Sequence, residues 1–197
     1  MFFCLIRFDL VSRGLFDIIL GLICTKAQLQ KRTPENGTDR ENYLSLLVDE
    51  YLHSVSFDAK CQVLANLANF AYDPINYCFL RDVGALDIFL YVLKNESDSK
   101  LLNFACAGIC NLCLDPVNTE YILNYGILNF LPKFLESENV DLVASTLTIL
   151  FQILNVLNKP ELFNLEVVKQ IEELKTSENH IIVNLATIFL EDISSKK

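Results

Sequence analysis

A stretch of this chain is written twice, 42 residues apart. Ala68-Asn69-Phe70-Ala71-Tyr72-Asp73-Pro74-Ile75-Asn76 returns without a gap as Cys110-Asn111-Leu112-Cys113-Leu114-Asp115-Pro116-Val117-Asn118. The register continues beyond it: Gly84 falls on Gly126, Leu86 on Leu128 and Leu93 on Leu135. A period of this length with helical texture means a solenoid of stacked helical units, each too small to bury its apolar face alone. A solenoid offers a groove to a partner more readily than a pocket to a substrate.

Composition narrows the function classes. Hydrophobic residues make up 52% of the 197, enough for a sizeable core. Six Gly and five Pro are few for a strand-rich, turn-rich fold. The net charge is −9, from 25 acidic and 16 basic residues, and such a surface repels a phosphate backbone. Direct nucleic-acid binding is therefore not expected; a basic or mixed-charge protein segment is the natural partner. Seven cysteines, an odd number, show no disulfide framework and read as reduced, mostly buried thiols.

Four parts follow along the chain: an apolar extension over 1–27, a polar linker over 28–38, a repeat domain over 39–193 and a tail over 194–197. Arg7, Asp9, Arg13 and Asp17 interrupt the extension, and its longest uncharged apolar run, Ile18–Cys24, is seven residues. A bilayer needs about 20. No positive region precedes the first apolar block, so neither a signal peptide nor a membrane anchor is expected. A short helix, or a non-native extension from a misplaced start, fits better.

Within the domain, Asp39 is a candidate N-cap for a helix carrying Tyr43, Leu44, Leu47, Tyr51 and Leu52 on one face. Asp58 is a candidate cap for a long helix that Asp73-Pro74 stops, because the residue before proline avoids the helical region. A short helix over Pro74–Arg81, a turn at Gly84 and a helix through Leu86–Leu93 complete the unit. The second unit repeats the plan with a long helix over Leu101–Leu114, Pro116, Gly126 and a helix over Leu128–Leu135. A degenerate third unit starts near Val140 and breaks at Lys159-Pro160; helices over Leu162–Leu174 and Ile181–Ile193 close the stack.

Few residues suggest chemistry. Cys106, Cys110 and Cys113 have the Cys-x3-Cys-x2-Cys spacing of a radical-enzyme iron–sulfur site. They also stand at i, i+4 and i+7 of a helix, a core stripe, where the preceding unit has Leu64, Ala68 and Ala71. An iron–sulfur enzyme is thus a rival reading, as is an adaptor tethered to a membrane by Met1–Cys24. His53 and His180 have no metal-ligand spacing to a cysteine, and no phosphate-cradling glycine loop exists. Glu136 with Glu138, and Glu172 with Glu173, read as solvated helix ends. No cofactor or metal is expected.

The asparagines carry the sharper hypothesis. Asn69 and Asn111 share one place near the end of each long helix, and Asn66 lies about one turn before Asn69. A primary amide both donates and accepts, so amides arrayed along a groove can bond an extended peptide backbone. They can equally cap their own helix ends or bind the following Asp-Pro turn.

These residues resemble the armadillo repeat family. The long-helix ending Asn69-Phe70 or Asn111-Leu112 resembles the third helix of that repeat, whose asparagine forms a peptide-holding ladder. Ala65 and Ala107 replace the tryptophan found four residues earlier in many peptide-binding members, and Ile153 occupies the ladder position of the third unit, with Asn155 two residues late. A closer likeness, in Gln62–Pro74 with Asn76-Tyr77, Ile109–Cys113 and Ile188–Asp192, is to small armadillo proteins of the minor spliceosome. The resemblance covers about Asp39–Ser194. It implies an all-α, right-handed armadillo-like solenoid of about three repeats with degenerate ends. It also implies a nuclear, non-catalytic scaffold that pairs with a protein bearing an RNA-recognition motif and serves removal of U12-type introns. A monomer is expected, with Asn66, Asn69 and Asn111 as the polar contacts of its groove.

Overall fold

The computed structural model describes residues 39–196, and among them every regular element is helical. The expectations for 1–27, for the linker and for the anchoring rival lie outside the described residues. Nine α-helices run in order: α1 Arg40–His53, α2 Phe57–Phe70, α3 Tyr77–Asp82, α4 Ala85–Asn95, α5 Ser99–Leu112, α6 Pro116–Asn124, α7 Val140–Leu157, α8 Leu165–Glu173 and α9 His180–Ser195. The long helices α2, α5, α7 and α9 pack side by side in that order and form one layer of the stack. Other helices pack against that layer: α1 on α2, α4 on α5, α6 on α7 and α8 on α9.

Local chemistry accounts for the boundaries. Asp39 caps α1 as expected, its carboxylate accepting from the Asn42 amide at 2.8 Å. Ser56, not Asp58, caps α2, leaving Asp58 in the first turn, where a negative charge favours the helix dipole. Asp98 caps α5, which starts at Ser99, two residues before the expected start. The duplicated aspartates cap the elements after them: Asp73 bonds the Ile75 amide and Asp115 the Asn118 amide, each with proline at the first helical position. Gly84 and Gly126 have φ of 76° and 86°, a left-handed backbone that explains why both copies keep glycine.

The second unit departs from the first between Ile127 and Glu136. The expected Leu128–Leu135 helix is two 3-10 pieces, Ile127–Asn129 and Leu131–Glu136. Pro132 is the cause: it donates no amide hydrogen and crowds the turn before it. The third unit closes α7 at Asn158, whose φ of 51° is left-handed, one residue before the expected break. The last helix runs to Ser195, beyond the expected end of the domain. Lys196 is tied down by Asp192 at 3.0 Å and by the Asn155 side chain at 3.0 Å.

The core takes residues from α2, α4, α5 and α7. Leu64, Leu67, Leu90, Leu93, Ile109 and Leu150 are fully buried. On α1 the buried residues are Leu44, Val48 and Tyr51, whereas Tyr43 and Leu52, expected on the same face, are exposed. Helix α7 is long and apolar enough to cross a membrane, but it is mostly buried within the stack, as suits a core helix.

Candidate functional site

The ends of α2 and α5 leave carbonyl groups without intrahelical partners, and side chains from the next elements supply them. The Asn76 side chain donates to the Phe70 carbonyl at 2.8 Å, and its copy Asn118 donates to the Leu112 carbonyl at 3.1 Å. Thr119 donates to the Cys113 carbonyl at 2.8 Å. These duplicated asparagines therefore fasten each long helix to the short one after it. The sequence displayed the repetition of Asn76 and Asn118 but not this use.

Asn111 does something else again. It is buried, and its Nδ2 donates to the Ala68 carbonyl of the preceding unit at 3.1 Å. Its own carbonyl accepts from the Tyr77 hydroxyl at 2.8 Å. It neither caps α5 nor binds the Asp-Pro turn; it bridges two units. Its Oδ1 is buried and has no hydrogen-bond partner among the described residues. Asn69 occupies the same position one unit earlier, where the described helix before α2 is α1, the counterpart of α4 rather than of α2, and its side chain is exposed. Asn66, one turn before it, is half-buried and lines an open cavity between α1 and α2. The three asparagines are thus not one surface: Asn66 and Asn69 share the outer side of α2, and Asn111 is interior.

The stability consequence differs between the copies. Asn111→Ala removes a buried donor and orphans the Ala68 carbonyl, at a cost of about 1–2 kcal/mol. Loss of the unpaired Oδ1 offsets part of it. Asn69→Ala, at an exposed site, stays within about 0.5 kcal/mol of wild type. Urea midpoints check both, and equal shifts would place the two amides in the same environment.

A second set of contacts joins the units along the short-helix layer. Arg81 of α3 donates to Asp115 at 3.0 Å and to the Asn118 side chain at 2.7 Å, so the turn aspartate of one unit is held by the arginine of the unit before. The Tyr121 hydroxyl donates to Asp87 on α4, and this bond raises its pKa. In the long-helix layer, Asn139, the cap of α7, donates to the Ser99 hydroxyl at the start of α5. In the third unit Ile153 is buried at the ladder position, and the displaced Asn155 bonds the Phe151 carbonyl and Lys196.

The cysteine triplet lies where the helical stripe placed it. Cys106 and Cys110 are on α5 and Cys113 follows it, all three buried. Cys106 and Cys113 are free thiols, whereas Cys110 is disulfide-bonded, so the expectation of reduced cysteines fails at that position. Burial pushes the Cys106 thiol up to about 12, with a Thr146 hydrogen bond working the other way, and burial raises Cys113 as well. A cluster needs thiolates converging from a loop, and burial on one helix stripe disfavours both thiolate formation and convergence. Among the described residues no three His, Cys, Asp or Glu side chains are grouped to hold a metal. His53 bonds the Asp49 carbonyl of its own helix at 2.8 Å, and Glu136 accepts from Gln170 at 2.9 Å; both are surface contacts.

Comparison with known proteins agrees with this geometry. Over 171 residues the chain is 43% identical to armadillo repeat-containing protein 7 of Mus musculus, covering 86% of this chain and 85% of that one. No family model matches. Among solved structures, an engineered protein superposes with a TM-score of 0.66 at 21% identity over 79% of this chain. A designed armadillo repeat protein in complex with the peptide (KR)4 gives 0.66 at 17% identity over 77%. Both cover 64% of the solved chain, so this protein spans somewhat less than two thirds of their length. At these identities the structures speak for the fold.

Proposed function

The chain belongs to the armadillo repeat family, and from that premise we propose that it is a nuclear scaffold of the minor spliceosome, without chemistry of its own. It binds a protein that carries an RNA-recognition motif and so serves the removal of U12-type introns. The protein-binding part of this reading has its main support in Asn69. Its amide is exposed at the position where the family's ladder asparagine meets a peptide, and Asn66 stands one turn away beside an open cleft. A charge of −9 suits a basic partner segment; the designed armadillo repeat protein of similar fold is in complex with the peptide (KR)4. The acidic solenoid would hold the protein that touches RNA, rather than RNA itself. The spliceosomal part draws on the resemblance over Gln62–Pro74 and Ile109–Cys113.

Depletion followed by transcript sequencing tests it. U12-type introns are retained while U2-type introns are spliced normally, and re-expression of the wild-type chain reverses the defect. Purification of the tagged chain from nuclear extract brings down an RNA-recognition-motif protein, and Asn69→Ala reduces that recovery without lowering stability. Unchanged U12-type splicing after depletion would overturn the spliceosomal assignment.

A further inference from the structure

Among the described residues the stack starts at α1 and α2, and the repeat defines what an inner unit buries at the same positions. At the 42-residue offset, Tyr43, Leu46, Leu47 and Glu50 of α1 correspond to Ala85, Ile88, Phe89 and Val92 of α4. Those four α4 residues are buried inside the stack. Their α1 counterparts, together with Gln62 and Asn66 of α2, line an open cavity of about 300 Å³. Leu46 is 60% exposed and Tyr43 42%. Gln62 and Asn66 correspond to Phe104 and Gly108 of α5, on the helix whose Asn111 reaches back to α2. This face is therefore the counterpart of a surface that the inner unit buries, with no described helix on it.

Charge narrows the choice of helix. Glu50 stands where the inner unit has Val92, and among the described residues it is the one charged residue lining the cavity. Helix α1 also carries Glu41 and Asp49, whereas its cation Arg40 lies over the Phe70 ring, 4.9 Å from the centroid. We propose that this end cavity is a docking site for a basic amphipathic helix of a protein partner. A leucine-type side chain of that helix enters between Leu46 and Leu47, and a lysine or arginine meets Glu50. The proposal deepens the adaptor reading by naming the partner's chemistry. It is tested with purified components, so its failure is distinct from a failure of the splicing assay.

The probe is a fluorescein-labelled helical peptide of about 16 residues, with a leucine stripe flanked by lysines, titrated into the full chain and followed by anisotropy. Its twin carries glutamate in place of lysine. Saturable binding of the lysine peptide over its twin is expected. Leu46→Arg, at an exposed position, weakens it by at least about tenfold with an unchanged melting curve, and Glu50→Lys reverses the preference between the twins. Equal binding of the twins, or indifference to Leu46→Arg, overturns the proposal. So does failure of the lysine peptide to bind, whatever fills the site instead. A dimer in sedimentation that Leu46→Arg dissolves would then assign the cavity to a second copy. Cross-links from residues 1–38 to α1 would assign it to the chain's own N-terminal segment.

Discussion

Leu67→Asp leaves a chain without a cooperative unfolding transition. Leu67 is fully buried on α2, the long helix packed between α1 and α5. Truncating such a leucine costs about 2–5 kcal/mol through lost transfer energy and cavity formation. The aspartate adds a charge at a fully buried site, at several kcal/mol more, or must be protonated to avoid it. Against a total stability of about 5–15 kcal/mol the sum is decisive. It also spreads, because each solenoid unit is stabilised by its neighbours and α5 loses the surface its Asn111 bonds to. Circular dichroism then shows reduced helicity and a broad, non-cooperative thermal decline. Leu46→Asp is the control: the same chemistry at an exposed position of α1 leaves the transition in place. A Leu67→Asp protein melting like wild type would remove Leu67 from the inter-helix contact.

The units and their order are readable from the sequence because duplication in register exposes what stacking demands. Asp73 and Asp115 cap, Pro74 and Pro116 start helices, and Gly84 and Gly126 turn left-handed, all by local rules. Pro132 shows the limit of copying. The apolar residues Leu128 and Leu135 match their counterparts, but one proline turns that stretch into 3-10 structure. Contacts between units were hidden for a different reason. Asn69 and Asn111 hold equivalent positions at the 42-residue offset, yet one is exposed and the other buried, because Asn111 has the equivalent helix of the preceding unit, α2, to bond to and Asn69 has no described counterpart of it. Position in the stack, not residue type, decides which amide is free to meet a partner. Arg81 was equally silent, since its acceptors Asp115 and Asn118 lie a whole unit away.

Gly108→Ala destabilises the wild-type stack but stabilises a Phe89→Ala variant. In a helix interior alanine is favoured over glycine by about 1 kcal/mol, so mid-helix Gly108 looks like a defect. A Cβ there would lie 2.5 Å from Phe89 Cζ and within 2.7 Å of its neighbouring ring carbons. Phe89 is fully buried on α4, with no exposed side toward which to swing. Forcing the ring aside costs about 1–3 kcal/mol, which outweighs the propensity gain over most of that range. Phe89→Ala alone costs about 3–5 kcal/mol as a large cavity opens. In that background the new methyl projects into vacated space, so it recovers the helical preference and fills part of the void. The same substitution thus changes sign with its neighbour, and a double-mutant cycle returns a coupling of about 1–3 kcal/mol. Additive denaturation midpoints would mean that the ring and the glycine do not touch. This contact also bears on recognition: it sets how closely α4 lies against α5, and α5 in turn carries Asn111 to the Ala68 carbonyl. A bulkier residue at 108 would widen the unit and shift that interface, whereas the face of Asn66 and Asn69, on α2, would keep its geometry.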